Sequence, residues 1–296
     1  NAIINGIDAL DAGSFKDNIL GQALTARAIA HFDLVRTYAQ IPTQSSTANA
    51  SLGVAYVTVV DPDQKPSRDT VGDVYTNIIS DLTSAKALIS ANDINSFNIN
   101  TVNGLLSRVY LYMGEWDNAV AAADDVTGNV ASITNFPNVW VDESTDGVLS
   151  QFAISIDDGV AIGTEYSQTS PDNGVRSEYN VSFEFYGLFQ NDDVRKDAYI
   201  STSVFSGINY NHVAKYFGKL GQVNNIVNSK ILRMAEVMLN KAEAYSEMPG
   251  NDANALTALD AVRSQRYTGF VSGGEVGQAL KDAIALERRL ELAFEG

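Results

Sequence analysis

The 296-residue sequence contains no cysteine. That excludes a disulfide framework, a thiol nucleophile and any thiolate-bound metal. It is silent on redox compartment. Histidine is almost as scarce: only His31 and His212 occur, and neither HExxH nor HxH is present, so a two-histidine metal site would need carboxylates to complete it. No run approaches the roughly 20 apolar residues of a membrane-spanning helix. Positive charge is thin, with 20 Lys and Arg against 36 Asp and Glu and a net charge of −16. A surface of that sign repels phosphate backbones, so no nucleic-acid partner is expected. It also offers no basic patch to an anionic membrane. GxGxxG, GxxxxGK[ST] and GxSxG are all missing, which leaves nucleotide binding and an esterase elbow without a motif. The chain begins at Asn1 with no charged, apolar, small-residue leader. It reads either as a trimmed cytoplasmic chain or as one whose leader has been removed. Abundant Asn, Ser, Thr, Gly, Tyr and Phe with little Lys leans toward a secreted or surface protein.

The 45% apolar content can build a substantial core. The first periodic stretch is "ILGQALTARAIAHFDLVRTYAQIP", where Leu20, Leu24, Ala28, His31 and Val35 share one helix face and Pro42 ends the run. A loop from Thr43 to Pro66 follows, with "GVAYVTVV" expected as a short strand. "SRDTVGDVYTNIISDLTSAKALIS" is the second helix, with Val71, Val74, Tyr75, Ile78, Leu82, Ala85 and Ile89 as its stripe. Thr70 and Asp73 resemble a capping box. "NTVNGLLSRVYLYMG" and "EWDNAVAAADDVTG" then form a helical hairpin of the tetratricopeptide kind, turned at Gly114 and stopped at Gly128, with small alanines at the crossing. Trp116 has helical spacing to Ala119, Val120 and Ala123 and is assigned to the core.

From about 132 to 228 the helical period disappears. Short alternating runs ("VLSQFAISID", "YNVSFEFYGLF") lie between Gly, Asn, Asp and Pro, and aromatics are concentrated there. Loops this long in a compact protein are usually functional or disordered, and the aromatic content argues for order. Helices return in "KILRMAEVMLNKAEAYSEM", with Ile231, Ala235, Met238, Ala242 and Tyr245 on one face. "ANALTALDAVRSQR" follows, with Ala255, Leu259 and Val262, and then the closing helix, "EVGQALKDAIALERRLELAFEG". The expected fold is mainly α: tetratricopeptide-like hairpins, about 14–131 and 229–296, scaffold an irregular insert, about 132–228, with short strands. The whole of 1–296 is expected to be one domain.

At this level of detail the chain resembles the SusD/RagB group of outer-membrane lipoproteins from Bacteroidetes. Arg233, Ala235, Glu236, Leu239, Ala242, Glu243 and Ala244 fit that group's R-x-A-E-x-x-L-x-x-A-E-A helix. Val262, Arg263 and Arg266 fit its N-x-V-R-x-R motif, with Asp260 in place of Asn and Arg266 one position late. Glu287 to Gly296 match E-R-R-x-E-L-A-x-E-G almost letter for letter. "ARAIAHFDLVRTYAQIP", "VYTNIISDLTSA", "LLSRVYLYMGEWDNA" and "DDVRKDAY" follow the family order, with Ala39 where Gly is usual and His31 where an aromatic is commoner. Members usually carry a lipidated N-terminal Cys and continue past the equivalent of Gly296, so the chain is expected to be truncated at both ends.

The resemblance implies a binding protein at the cell outer membrane, surface-exposed and lipid-anchored. Its expected partners are an oligosaccharide or polysaccharide ligand and a SusC-like TonB-dependent transporter, with no chemistry of its own. Sugar rings call for aromatic platforms, and their hydroxyls call for polar side chains carried on loops. Gln44, Tyr56 and Arg68 in one loop, and Tyr166, Asp172, Arg176 and Tyr179 in another, are therefore the expected glycan contacts. Trp140 is assigned to anchoring the insert, and His31 to packing. His212 stands near Tyr210 and Tyr216 without support for a ligand role. No cofactor is expected. Asp157 and Asp192 are the acidic loop positions for a structural calcium ion, without a D-x-[DN]-x-[DN]-G loop behind them. The pairs Asp157–Asp158 and Asp192–Asp193 are the nearest approach to the acid/base carboxylates of a glycosidase, and neighbouring loop residues rarely hold the opposed geometry. A tetratricopeptide-like adaptor for protein or peptide is the alternative reading, and a glycoside hydrolase the third. In the closing helix, Leu286, Leu290 and Phe294 are expected to pack. Its glutamates and arginines are expected to pair locally, with one arginine reaching Glu236 or Glu243.

Overall fold

The computed structural model describes residues 1–169, 175–219 and 225–295, with no side-chain description for residues 169, 175 and 176. It is mainly α-helical, with a few short strands between the helices. Its contacts divide the chain into two compact units, Asn1–Thr127 with Glu243–Pro249, and Gly128–Ala242 with Gly250–Gly296.

In the first unit, Ser14–Tyr38 buries Gly21, Leu24, Thr25, Ala28, His31, Phe32 and Val35. These recur every three or four residues, so one face meets the core. A side chain at Gly21 would place Cβ 2.7 Å from Ile89 Cγ1, so glycine lets the two segments touch. Val71–Leu88 packs on this helix through Val71, Val74, Tyr75, Ile78, Leu82 and Ala85. At its N-terminus the Thr70 hydroxyl oxygen accepts from Asp73 N at 3.2 Å, while the hydroxyl donates to Asp73 Oδ2 at 2.6 Å. The aspartate is too short to reach back to the Thr70 amide as a longer glutamate does, and takes the hydroxyl instead.

Ile99–Met113 starts with a full capping box. Asn98 Oδ1 accepts from Thr101 N (3.0 Å), and Thr101 Oγ1 accepts from Asn98 N (3.2 Å). It ends at Gly114, which is left-handed at φ 74°. The Gly114 and Glu115 amides return to Leu111 and Tyr110 carbonyls at 3.1 and 3.0 Å, and this double closure starts Trp116–Asp124 as the second arm of a hairpin. Trp116 is half-buried against Leu111, Ala119, Val120 and Ala244.

The loop between the first two long helices contains no strand over "GVAYVTVV"; around the single bridge of Leu52 to Thr70, Gly53 N donates to Asp69 O (2.7 Å) and Asp69 N to Val54 O (3.2 Å). Side chains hold the backbone that follows. Tyr56 N donates to Asp69 Oδ2 (2.7 Å), and Val57 N donates to His31 Nε2 (3.0 Å). A strand needs a partner edge, and here the adjacent surface is helical.

In the second unit, Val148–Phe152 pairs antiparallel with Ser229–Arg233. The residues "KILR", expected to open a helix, are thus strand, and Ile231 belongs to that strand rather than to a helix face. The helix begins at Met234 and runs to Glu247. A second antiparallel sheet has Asn180–Val181 and Ile200–Phe205 on either side of Ile208–Val213. Asp252–Arg263 buries Ala255, Ala258, Leu259 and Val262. The closing helix, Gly277–Glu291, buries Leu280, Ile284 and Leu290 together with two glutamates, Glu287 and Glu291. Leu286, expected to pack, is 42% exposed. The helix is turned so that carboxylates, not Leu286, face inward.

Candidate functional site

The inward carboxylates of the closing helix meet a set of buried cations. Glu291, fully buried, receives Arg266 Nε at 2.8 Å, Arg233 Nη1 at 2.5 Å and Arg195 Nη1 at 3.2 Å. Burial alone would raise the Glu291 carboxyl. The guanidinium groups of Arg266, Arg233 and Arg195 overcome this and hold it well below the usual range. Arg195 also reaches Glu287 Oε1 (2.5 Å) and Asp193 Oδ2 (2.9 Å). Arg263 joins Glu287 (3.4 Å) to Glu275 (2.9 Å). Arg266, one place late against the family spacing, still lands on Glu291 and also donates to the Ala131 carbonyl at 2.9 Å. Arg288 donates to Asn240 Oδ1 on Met234–Glu247 (2.9 Å), and Arg289 is exposed with its guanidinium 5.2 Å from the Phe185 ring. The charged motifs are therefore scaffold. Both oxygens of Asp193 accept from Arg195 within this network.

Beside that scaffold lies an aromatic group. Tyr166 stands 6.5 Å from Tyr179, 5.7 Å from Tyr216 and 6.4 Å from Phe294, centroid to centroid. Tyr179 is 61% exposed and Phe183 is 65% exposed. The turn carrying Tyr166 is fixed by its backbone. Tyr166 N and Ser167 N both donate to Gly163 O at 3.0 Å, and Gly163 N donates to Asn225 O at 3.2 Å. The Tyr166 and Tyr179 segments are joined by Glu178 N donating to Glu165 O (3.2 Å), and the short strands Gln168–Thr169 and Val175–Arg176 pair beside them. Two of the expected contacts, Tyr166 and Tyr179, are thus brought together. Arg176 lies opposite Gln168 in the ladder. Asp172 lies outside the described residues.

The other three expected contacts are in the first unit. Gln44 is exposed, its Oε1 accepting from Ile41 N at 3.3 Å. Arg68 spends its guanidinium on the carbonyls of Gly53 (2.5 Å), Tyr38 (3.0 Å) and Leu52 (3.1 Å). Tyr56 is half-buried, stacked 4.0 Å from His31, and donates its hydroxyl to Asp81 at 2.5 Å. Arg27 grips the same carboxylate with Nε at 2.6 Å and Nη2 at 2.7 Å. Tyr56 and Arg68 therefore hold their loop in place. The period-based assignment of His31 to packing agrees with this setting, and no sequence signal marks Asp81 as the centre of the lock.

Trp140 is 2% exposed, edge-on to Tyr199 at 5.3 Å, so its ring is sealed from any ligand. His212 is buried in the central strand of the three-stranded sheet, opposite Asn180 and Ser201. Sequence reading missed Tyr216 and Phe294 as the base beneath Tyr166. Their separation of 78 residues leaves no local signal. Among the described residues no three His, Asp or Glu side chains gather as a metal site, and no helix is long and apolar enough to cross a membrane.

A family model described as "SusD family" matches residues 131–296, more than half of the chain. A second, described as "Starch-binding associating with outer membrane", matches residues 3–111. SusD-like protein P2 of Formosa agariphila is 25% identical over 94% of this chain, which spans only 63% of that relative. Among solved structures, a SusD superfamily protein from Bacteroides thetaiotaomicron is 28% identical with a TM-score of 0.86, covering 100% of this chain and 70% of its own. A SusD-like carbohydrate binding protein from Bacteroides vulgatus is 22% identical with a TM-score of 0.80, covering 100% and 65%.

Proposed function

Since the chain belongs to the SusD family, we propose that it is a carbohydrate-binding protein of the outer membrane. It captures oligosaccharide or polysaccharide at the cell surface and passes it, unaltered, to a SusC-like TonB-dependent transporter, while a lipid anchor holds it to the membrane. The observation that carries the reading is the Tyr166–Tyr179 pair, two rings 6.5 Å apart, one of them largely exposed, on a turn pinned by backbone hydrogen bonds. Ring faces set in advance accept the C–H face of a sugar without an ordering cost at the moment of binding. The polar partners for hydroxyls are Asp172 and Arg176 from the same segment, with Gln44 a separate exposed contact. Tyr56 and Arg68 hold the loop that contains them and are not assigned to the ligand. The match of residues 3–111 to a starch-binding family model supports a glucan among the ligands to try first.

The test is affinity electrophoresis and isothermal titration against soluble starch, laminarin, xylan and other soluble polysaccharides. At least one should retard the protein, and Tyr166→Ala with Tyr179→Ala should abolish the retardation. Retardation by none, alongside clear binding of an unstructured peptide, would sink the reading in favour of an adaptor. Release of reducing sugar from any bound polysaccharide would overturn the absence of chemistry.

A further inference from the structure

Lys215 has no exposed surface, and its side-chain nitrogen sits 4.0 Å from the ring centroids of both Trp140 and Tyr199. Its ammonium donates to Ala293 O at 2.8 Å and to Glu295 Oε1 at 2.7 Å. The next residue, Tyr216, donates its hydroxyl to Phe294 O at 2.6 Å. Two consecutive side chains thus hold three consecutive residues just beyond the closing helix. That turn needs holding, because Phe294 lies at φ +66°, a region that residues with a Cβ adopt at a cost.

Tyr216 also touches the Tyr166 turn in two further ways. Its ring lies 5.7 Å from that of Tyr166 at 31°. Its carbonyl oxygen stands 2.0 Å from where a Cβ on Gly163 would be, so only glycine allows the turn to sit so close. The Phe294 ring completes the base at 6.4 Å.

We propose that Lys215 and Tyr216 are positioning residues for the Tyr166 platform. By clamping the Ala293–Glu295 turn they set the surface on which the Tyr166 ring lies, and so tune glycan affinity without touching glycan. This rests on the glycan-binding reading above. The groups facing Lys215 are Glu295 of the clamped turn, Arg233 of Ser229–Arg233 with its partner Glu291, Tyr199 of Val194–Tyr199, and Tyr216 beside it. Burial pulls the Lys215 ammonium down to about 7, against the opposing pull of Glu295. Burial pushes the phenols of Tyr199 and Tyr216 well up. Burial would lower the Arg233 guanidinium, and its carboxylate partners hold it above the usual range. Raising the pH through about 7 therefore discharges Lys215 and loosens its hold on Glu295, while Glu295 keeps its contact with Arg233.

The test is fluorine NMR of the full chain labelled with 3-fluorotyrosine, the Tyr166 signal being assigned from Tyr166→Phe. That signal should shift in Tyr216→Phe and in Lys215→Met, while the Tyr56 signal stays fixed. In the parent it should move in one step near pH 7, and Lys215→Met should remove the step. Tyr216→Phe keeps the ring and loses only the hydroxyl, so it answers the question even where Lys215→Met does not fold. A Tyr166 signal indifferent to Tyr216→Phe and to pH overturns the proposal. On whichever of soluble starch or laminarin retards the parent, Tyr216→Phe should weaken binding about fivefold, the low end of typical site-to-site coupling. A responsive Tyr166 signal with no polysaccharide bound would leave the clamp standing and remove the glycan reading.

Discussion

Arg266 meets Glu291 edge to edge, Nε 2.8 Å from Oε2 and Nη2 2.9 Å from Oε1, with both side chains out of solvent. Arg233 and Arg195 close on the same carboxylate. An exposed pair of this kind would contribute little. A buried one matters through what its removal leaves behind, an uncompensated charge in a dry site.

Glu291→Gln leaves three guanidinium groups around a neutral amide. The expected loss is about 3–5 kcal/mol of unfolding free energy, read from urea denaturation. Arg266→Met should cost less, because Glu291 keeps two cations. A Glu291→Gln midpoint equal to that of the parent would show that the Glu291 charge adds nothing to stability.

The same cluster sets an acid limit. The folded Glu291 pKa lies below its unfolded value, so the unfolded chain takes up the proton first as pH falls. Its contribution is complete above the ordinary glutamate range and is lost progressively below about pH 4.5, at up to about 1.4 kcal/mol per pH unit for one group. His31 and His212, lowered by burial, act in the same direction below their ordinary value of 6.5. Lys215 is lowered to about 7 from 10.5, so between those values the unfolded chain again holds more protons, and stability rises with pH. Melting temperature should therefore climb from pH 4 through pH 9. A maximum near pH 5 would contradict the assignment.

Much of this was readable in advance, because it rests on local spacing. The stripe Val71, Val74, Tyr75, Ile78, Leu82, Ala85 is one helix face in sequence and in structure. The break at Gly114 follows from its left-handed conformation. What was not readable depends on distant partners. "KILR" has the composition of a helix start, but Val148–Phe152 recruits it into a strand. Leu286 has the spacing of a packing residue, yet the arginines draw Glu287 and Glu291 inward and leave Leu286 outside. Tyr166 and Tyr179 were legible as loop aromatics, whereas their support by Tyr216 and Phe294 was not.

Tyr56 and Tyr179 were equal candidates in sequence and should separate in experiment. Tyr56→Phe removes the hydroxyl from Asp81, and should cost roughly 1 kcal/mol of stability while leaving polysaccharide retention unchanged. Tyr179→Ala removes an exposed ring. It should leave stability within about 0.5 kcal/mol and weaken binding about tenfold, near 1.4 kcal/mol. The reverse pattern would move the site to the Thr43–Arg68 loop.

Gly163 tests whether the platform is built or incidental. A methyl group there would stand 2.0 Å from the Tyr216 carbonyl oxygen and 2.9 Å from its carbon. Both are backbone atoms, so nothing flexible can yield cheaply. Either the turn from Gly163 to Ser167 lifts away or the Tyr216 backbone retreats, at a cost of about 1–3 kcal/mol. Because the Tyr166 amide is bonded to Gly163 O, the ring moves with the turn. Gly163→Ala should therefore lower the melting temperature and also weaken polysaccharide binding, although residue 163 is buried and out of ligand reach. Gly159→Ala is the control. That glycine is at φ +65° with nothing within 4 Å of a Cβ, so its substitution strains only its own backbone. It should cost roughly 1 kcal/mol and leave binding intact. Equal binding losses in the two variants would mean that binding follows general stability, and the Tyr166 turn would lose its claim to be a preset platform.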